Sequence, residues 1–367
     1  MESYFQQNTA KLRHRLISEI YVDMEKPYGG GSVKSINDLK LLLQTAIELE
    51  HSTIPPYLSA LYSIKEGTNL AASTLIRGVV VEEMLHMIMA ANILNAIGGH
   101  PFIKSKHFIP EYPTYLPDSD KAFIVNLEKF SQSSIETFLL IEKPAHNDAP
   151  PESHNYKTIG QFYKAIRIAL EYYDRKTPGG IFNGDRKNQI MPAHYYGSGG
   201  KLVEVTSLAS AKLAIEEIVG QGEGIDDTIF DTDKKIFGQE IEYAHYFRFN
   251  EIHCERMYSP EDSAKCPPTG PALEVDWKAV HNMKLNPKLS DYKKGSELYK
   301  KTYDFNVTYN TLLANLHKAC NGHPETLMEG MALMYAIKYK AVELLNIPTG
   351  GKNGEMAGPT FEYVEIK

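Results

Sequence analysis

The chain has 367 residues, is 43% hydrophobic and 23% charged, and carries a net charge of −7. That is the profile of a globular protein with room for a large core in one domain or two. The acidic balance gives no electrostatic footprint for nucleic acid, and no basic patch interleaved with aromatics is present. The long apolar runs are interrupted by Glu and His, which argues against a membrane span. The N-terminal MESYFQQNTAKLRHRL lacks the apolar core and small-residue cleavage site of a secretion signal. Cys254, Cys266 and Cys320 are widely spaced with no C-x-x-C, so a reducing, cytoplasmic setting is expected rather than a disulfide framework.

Ser35 with Asp38 reads as the N-cap and N3 acid of a helix over about 35–64. Its apolar stripe (Leu39, Leu43, Ala46, Ile47, Ile54, Tyr57, Leu61) runs through Glu50, whereas Glu48 falls on the side of Lys40 and Gln44. His51 lies beside Glu50, about 100° round the helix. Pro55 and Pro56 remove the N–H groups that would bond the carbonyls of His51 and Ser52, so a kink or loosening is expected there. A second helix, over about 72–98, is apolar or small almost throughout, the main exceptions being Arg77, Glu82, Glu83, His86 and two asparagines. Such a helix belongs in a core, where an unpaired charge is costly. Glu83 and His86, at i and i+3, share a face. Two antiparallel helices joined by a short polar loop near 65–69 place Glu50 level with Glu83 and His86.

Residues 98–155 read as a long connection with proline-spaced aromatics and one short helix around 134–141. Thr158 and Gln161 form a capping box for a helix over about 158–175, with no acid on its apolar stripe. The Gly-rich stretch 177–200 is loop or hairpin, and its glycines follow no strand–helix pattern that would cradle phosphate. A third bundle helix, about 207–222, offers Glu216, Glu217 and Glu223, none centred on its stripe. A fourth, about 238–257, contains Glu242-x-x-His245 among aromatics, with Arg248 one turn on and Glu251 one turn further, an ion pair suited to support ligands from behind. Two amphipathic helices, about 297–320 and 324–345, carry no inward acids.

Glu-x-x-His occurs three times, at Glu48/His51, Glu83/His86 and Glu242/His245. With 13 histidines one match means little; placement inside apolar helices gives the signal weight. Glu50, Glu83, His86, a third-helix Glu, Glu242 and His245 make the four-carboxylate, two-histidine set of di-iron or di-manganese bundles, with Glu48, His51, Glu82 and Glu217 as alternates. Carboxylate with imidazole suits iron or manganese, and also admits zinc or copper. No G-x-S-x-G, Cys–His nucleophile site or His-Glu-x-x-His helix competes.

The stretches AIELEHSTIPPYLSALYSI, VVEEMLHM, IVGQGEG, IEYAHYFRFNEI and GPTFEYV resemble the ferritin-like family that includes the iminophenyl-pyruvate dimer synthases. The resemblance runs from about residue 15 to the end. It implies a mainly α fold in a single domain: a ferritin-like four-helix bundle with a long crossover and extra C-terminal helices. It also implies one or two non-haem iron ions, with manganese or copper as alternates, and an oxidoreductase of secondary metabolism. Family members couple two imines of indole-3-pyruvate in bisindole pathways. The family often has an acid where this chain has Gly220, which leaves the third-helix ligand open between Glu223, the favoured candidate, and Glu217. The expected enzyme takes a small amino-acid-derived or aromatic substrate with dioxygen or peroxide, by oxidation, oxygenation or oxidative coupling. Tyr57, Tyr243, Tyr246 and Arg248 are its candidate pocket residues. No nucleic-acid or membrane partner is expected, and a homodimer is the expected assembly. A metal-storage or detoxification protein and a non-catalytic partner-binding subunit are the competing readings.

Overall fold

The computed structural model describes residues 33–146, 149–195, 199–224, 228–231 and 242–366. Eight α-helices lie among them: α1 Ile36–Ser63, α2 Leu70–Ala96, α3 Gln132–Ile141, α4 Ile159–Lys176, α5 Leu208–Glu223, α6 His245–His253, α7 Glu297–Ala319 and α8 Thr326–Leu345. The described residues contain isolated β-bridges but no named strand.

Helix α1 starts where Ser35 Oγ accepts the Asp38 N–H, and it runs unbroken through Pro55 and Pro56. A proline pair inside a helix leaves two carbonyls without their usual donors. One of these, Ser52 O, instead accepts the Tyr112 hydroxyl at 2.8 Å from the crossover, so a tertiary contact repairs the ladder. Helix α2 packs against α1 along the centre of the molecule. Its apolar window would suffice by length and composition to cross a membrane, but 89% of that window is buried inside the protein. Its apolarity is taken up by the core, where Ile76, Val79, Met89 and Ile93 are fully enclosed.

The two asparagines of α2 act as surrogate peptide groups. Asn92 donates to Ile190 O at 2.8 Å and accepts from Ile190 N at 3.0 Å. Asn95 donates to Asn188 O and to Cys320 O. They tie the Gly-rich stretch and the end of α7 to the bundle. The hairpin of α7 and α8 is held further by Tyr309, whose hydroxyl meets His51 Nε2 at 2.6 Å. The C-terminal tail folds back onto α7, where Asn306 Oδ1 accepts both Thr360 Oγ1 and Glu362 N.

Most helices fall within two residues of the bounds read from sequence. The exception is the fourth bundle helix, expected over about 238–257 and found as α6. Residues 238–241 lie outside the described residues. Phe230 and Tyr243 form an antiparallel bridge, with Asp231 N donating to Glu242 O and Ala244 N to Ile229 O. This pairing holds 242–244 extended, so coiling begins only at His245. At the other end Glu255 adopts φ 51°, which ends the helix.

Candidate metal centre

Five buried side chains converge between these helices. Glu50, Glu83 and His86 bring one donor atom each to within 4.8 Å of one another, and Glu83, Glu142 and His245 do the same. Glu83 belongs to both groups. His86 Nδ1 lies 3.6 Å from Glu50 Oε2 and 3.7 Å from Glu83 Oε1. His245 Nδ1 lies 3.0 Å from Glu83 Oε1 and 3.5 Å from Glu142 Oε2. The two imidazoles stack with ring centres 5.4 Å apart.

Each of the five is fixed from behind by a different residue. Tyr163 donates its hydroxyl to Glu50 Oε1, Tyr57 to Glu142 Oε1, and Thr53 to Glu83 Oε2 at 2.8 Å. His86 Nε2 meets Gln221 Oε1 at 2.7 Å. His245 Nε2 meets Glu82 Oε2 at 2.8 Å, and Glu82 Oε1 accepts from Arg248 at 2.7 Å. One nitrogen or oxygen of every side chain is thus occupied outward, leaving the other facing the shared space. That division of labour holds ligands in one rotamer and one tautomer.

The electrostatics follow from packing three carboxylates into a dry core. Burial, and next the charge of Glu142, push Glu83 up to about 7. Burial works against charging His245, but hydrogen bonding and charge from Glu142, followed by the contacts to Glu82 and Glu83, hold its imidazolium far above the ordinary range. For Glu82, burial is outweighed by Arg248 and His245, which keep it ionised down to about 2. The inner cluster therefore needs positive charge, from protons or from a cation. The donor set fits a metal pair. His245 Nδ1 is buried with carboxylate oxygens of Glu83 and Glu142 at 3.0 and 3.5 Å but a geometrically aligned hydrogen bond to neither, so a cation that displaced its proton would meet these three donor atoms together.

The sequence-derived residues fall into several positions. Glu50, Glu83, His86 and His245 come together at the centre. Glu223 lines the same small cavity but turns its carboxylate to backbone amides, Gly160 N at 2.7 Å and Ala145 N at 3.0 Å; burial raises it to about 7. A Cβ on Gly160 would lie 2.4 Å from Glu223 Oε2, so this approach requires glycine. Glu242 stands elsewhere: being ahead of the first turn of α6, it shares no helical face with His245, and its exposed carboxylate reaches Arg248 at 3.1 Å. Glu82 backs His245. Glu217 accepts from Lys201 N at the surface side of α5. Glu48 accepts from Gln44 and faces a separate cavity of ≈ 230 Å³ on the other side of α1, lined also by His107, Phe108 and Asp118. His51 is enclosed beside Phe108 and Tyr309, and burial lowers its imidazole to about 3.

Among the pocket candidates, Tyr57 positions Glu142. Tyr243 and Tyr246 pack in a separate apolar cluster with Ile229, Ala244, Phe247 and Tyr258. Arg248 donates to Tyr243 O as well as to Glu82 and Asp231. Sequence reasoning passed over Glu142. Its signal was present: Ile135, Phe138 and Glu142 lie at i, i+3 and i+7, so the acid extends the buried stripe of α3.

Helices that carry carboxylates and imidazoles inward to one shared carboxylate define a helical bundle of the ferritin type, with side chains that could hold a metal. The Ferritin-like family model matches residues 43–254, and the chain belongs to that family. A solved ferritin-like protein from Caulobacter vibrioides shares the fold, with a TM-score of 0.61 at 22% identity, covering 89% of this chain and 98% of that one. Dichlorochromopyrrolate synthase of Lentzea aerocolonigenes is 24% identical over 78% of this chain. The 2-imino-3-(indol-3-yl)propanoate dimerase of Chromobacterium violaceum is 26% identical over 67% of it. The chain spans 29% and 26% of the lengths of these two enzymes.

Proposed function

We propose that the protein is a non-haem, di-metal oxidoreductase that uses dioxygen or peroxide to oxidise or couple a small aromatic, amino-acid-derived substrate. The observation that carries this reading is the pair of carboxylate–imidazole triads joined at Glu83. A pair of iron or manganese ions there would supply the redox chemistry, held by Glu50, Glu83 and His86 on one side and by Glu83, Glu142 and His245 on the other.

The chain's own residues do the rest. Tyr163, Thr53 and Tyr57 orient the three carboxylates, and Gln221 and Glu82 orient the imidazoles. Ile159, Ile218 and Val219 wall the adjoining cavity and keep bulk water from the centre. That cavity measures only ≈ 10 Å³, room for about one water-sized body. A cavity this small does not hold an aromatic substrate as it stands, and Glu223, held by Gly160 N and Ala145 N, is among the residues that line it. With its carboxyl near neutrality, Glu223 can also hold or release a proton at the cavity mouth.

The substrate class follows the dimerase relative, whose name specifies an indolyl imino acid. Purified protein loaded anaerobically with iron should retain about two equivalents per chain. It should then consume oxygen when supplied with arylpyruvate imines. Less than half an equivalent of metal after loading with iron and with manganese would sink the proposal.

A further inference from the structure

The two triads differ behind their histidines, and that difference carries a prediction about the order in which they fill. The inference rests on the di-metal reading above. On the carboxylate side the triads are matched: Tyr163 supports Glu50, Tyr57 supports Glu142, and Glu83 is common to both. The imidazoles are not matched. His86 Nε2 meets the neutral amide oxygen of Gln221. His245 Nε2 meets the carboxylate of Glu82, buried with only 1% of its surface exposed.

Glu82 is itself fixed by a chain of buried charges. Arg248 donates to Glu82 Oε1 at 2.7 Å and to Asp231 Oδ2 at 2.9 Å, and Glu242 approaches the same guanidinium at 3.1 Å. Arg248 also donates to the carbonyl of Tyr243, just ahead of α6. The guanidinium therefore cannot swing away without breaking several bonds at once. Counting Glu82, Asp231 and Glu242 against Arg248, the group behind His245 is net negative and meets the imidazole directly with a carboxylate, while behind His86 the neutral amide of Gln221 stands between the imidazole and the nearest acid, Glu217, which accepts from Gln221 Nε2 at 3.4 Å. A carboxylate accepting the remote N–H makes an imidazole a stronger donor to a cation than an amide does, and the added negative charge attracts the cation through a low-dielectric core.

We propose that the two metal positions are unequal, that the Glu83–Glu142–His245 position fills first, and that Glu82 and Arg248 are positioning residues that act through His245 to make it so. The Glu50–Glu83–His86 position is the second, looser one, held in reserve by the weaker support of Gln221.

The test is an anaerobic titration of the full chain with Co²⁺, read by visible absorption and calorimetry, so that no catalytic turnover enters. Wild type should show two separable phases. Glu82→Gln should weaken the first phase about 10–100-fold and leave the second in place. Gln221→Glu should tighten the second phase and draw the two together. His86→Ala should keep the tight equivalent, and His245→Ala should lose it. Circular dichroism and thermal melting of each metal-free variant separate a folding failure from a binding effect. Should Glu82→Gln fail to fold, the Gln221→Glu and histidine variants still decide the matter. Two equal phases in wild type, equal weakening of both by Glu82→Gln, or retention of the tight phase by His245→Ala would overturn the proposal. Absence of any Co²⁺ binding would instead remove the di-metal reading on which it rests.

Discussion

The two sides of the candidate metal centre are built by different means. On one side Glu50, Glu83 and His86 project from the interiors of α1 and α2, the two longest helices. Their mutual placement follows from helical spacing and from the packing of one long helix on another. On the other side, Glu142 is the C-cap of the short α3 and His245 is the first residue of the short α6. Both stand where a helix meets a loop, and hydrogen bonds with distant partners hold them. A ligand in mid-helix inherits its position from the element; a ligand at a helix end depends on whatever fixes that end.

Glu83 is the residue both sides share, so removing it should have the largest effect. Glu83→Ala is expected to bring bound metal, measured by elemental analysis, from about two equivalents to near zero. Retention of one full equivalent would show that the two sides are independent. The contrast between Glu142 and Glu242 sharpens the other side. Glu142→Gln should cost about one equivalent, whereas Glu242→Gln should keep both, because its exposed carboxylate faces Arg248 rather than the centre. The opposite pattern would restore Glu242 to the ligand set.

A pH series tests the shared residue without mutation. Glu83 is raised from 4.5 to about 7 in the fold, so between those values the folded state binds a proton that the unfolded chain has released. The stability of the metal-free protein should therefore fall as pH rises through that window, with Glu223, also raised to about 7, adding to the fall and His51, lowered to about 3, opposing it below 6.5. His245, raised well above 6.5 by Glu142 and Glu82 against burial, acts in the same direction: its contribution is present at low pH and lost as pH climbs through its folded value. Melting temperatures with and without metal, taken at several pH values, should show a decline without metal and a gain on loading that grows with pH. A metal-free protein that becomes more stable across this range would contradict the charge assignment. The smallest expected effect lies on the α1 side. Tyr112→Phe removes the donor to Ser52 O, leaving a buried carbonyl unsatisfied at a cost of about 1–2 kcal/mol, with metal content unchanged.

The same contrast explains what could be read from the sequence. The apolar stripe of α1 passes through Glu50, and the nearly all-apolar α2 makes Glu83 and His86 conspicuous. Capping residues such as Ser35 and Thr158 marked helix starts that lie within a residue of those observed. Periodicity failed at helix ends. Glu242-x-x-His245 looks like a helical pair, but the bridge between Phe230 and Tyr243, made between residues well separated in sequence, keeps its first member out of the helix. Glu142 lies one residue beyond a short helix within the long connection. The partners behind the ligands, such as Tyr163, Gln221 and Asp231, come from segments remote in sequence, and no local pattern announces them.

The asparagine clamps of α2 bear on how the molecule comes apart. Asn95 links α2 to Cys320, 225 positions away, and His51 links α1 to Tyr309, 258 positions away. Contacts of such separation close very long loops, which slows folding and joins the C-terminal hairpin to the bundle in one cooperative unit. Amide hydrogen exchange in α7 should therefore share the global opening energy of α2 rather than report an appendage that frays on its own.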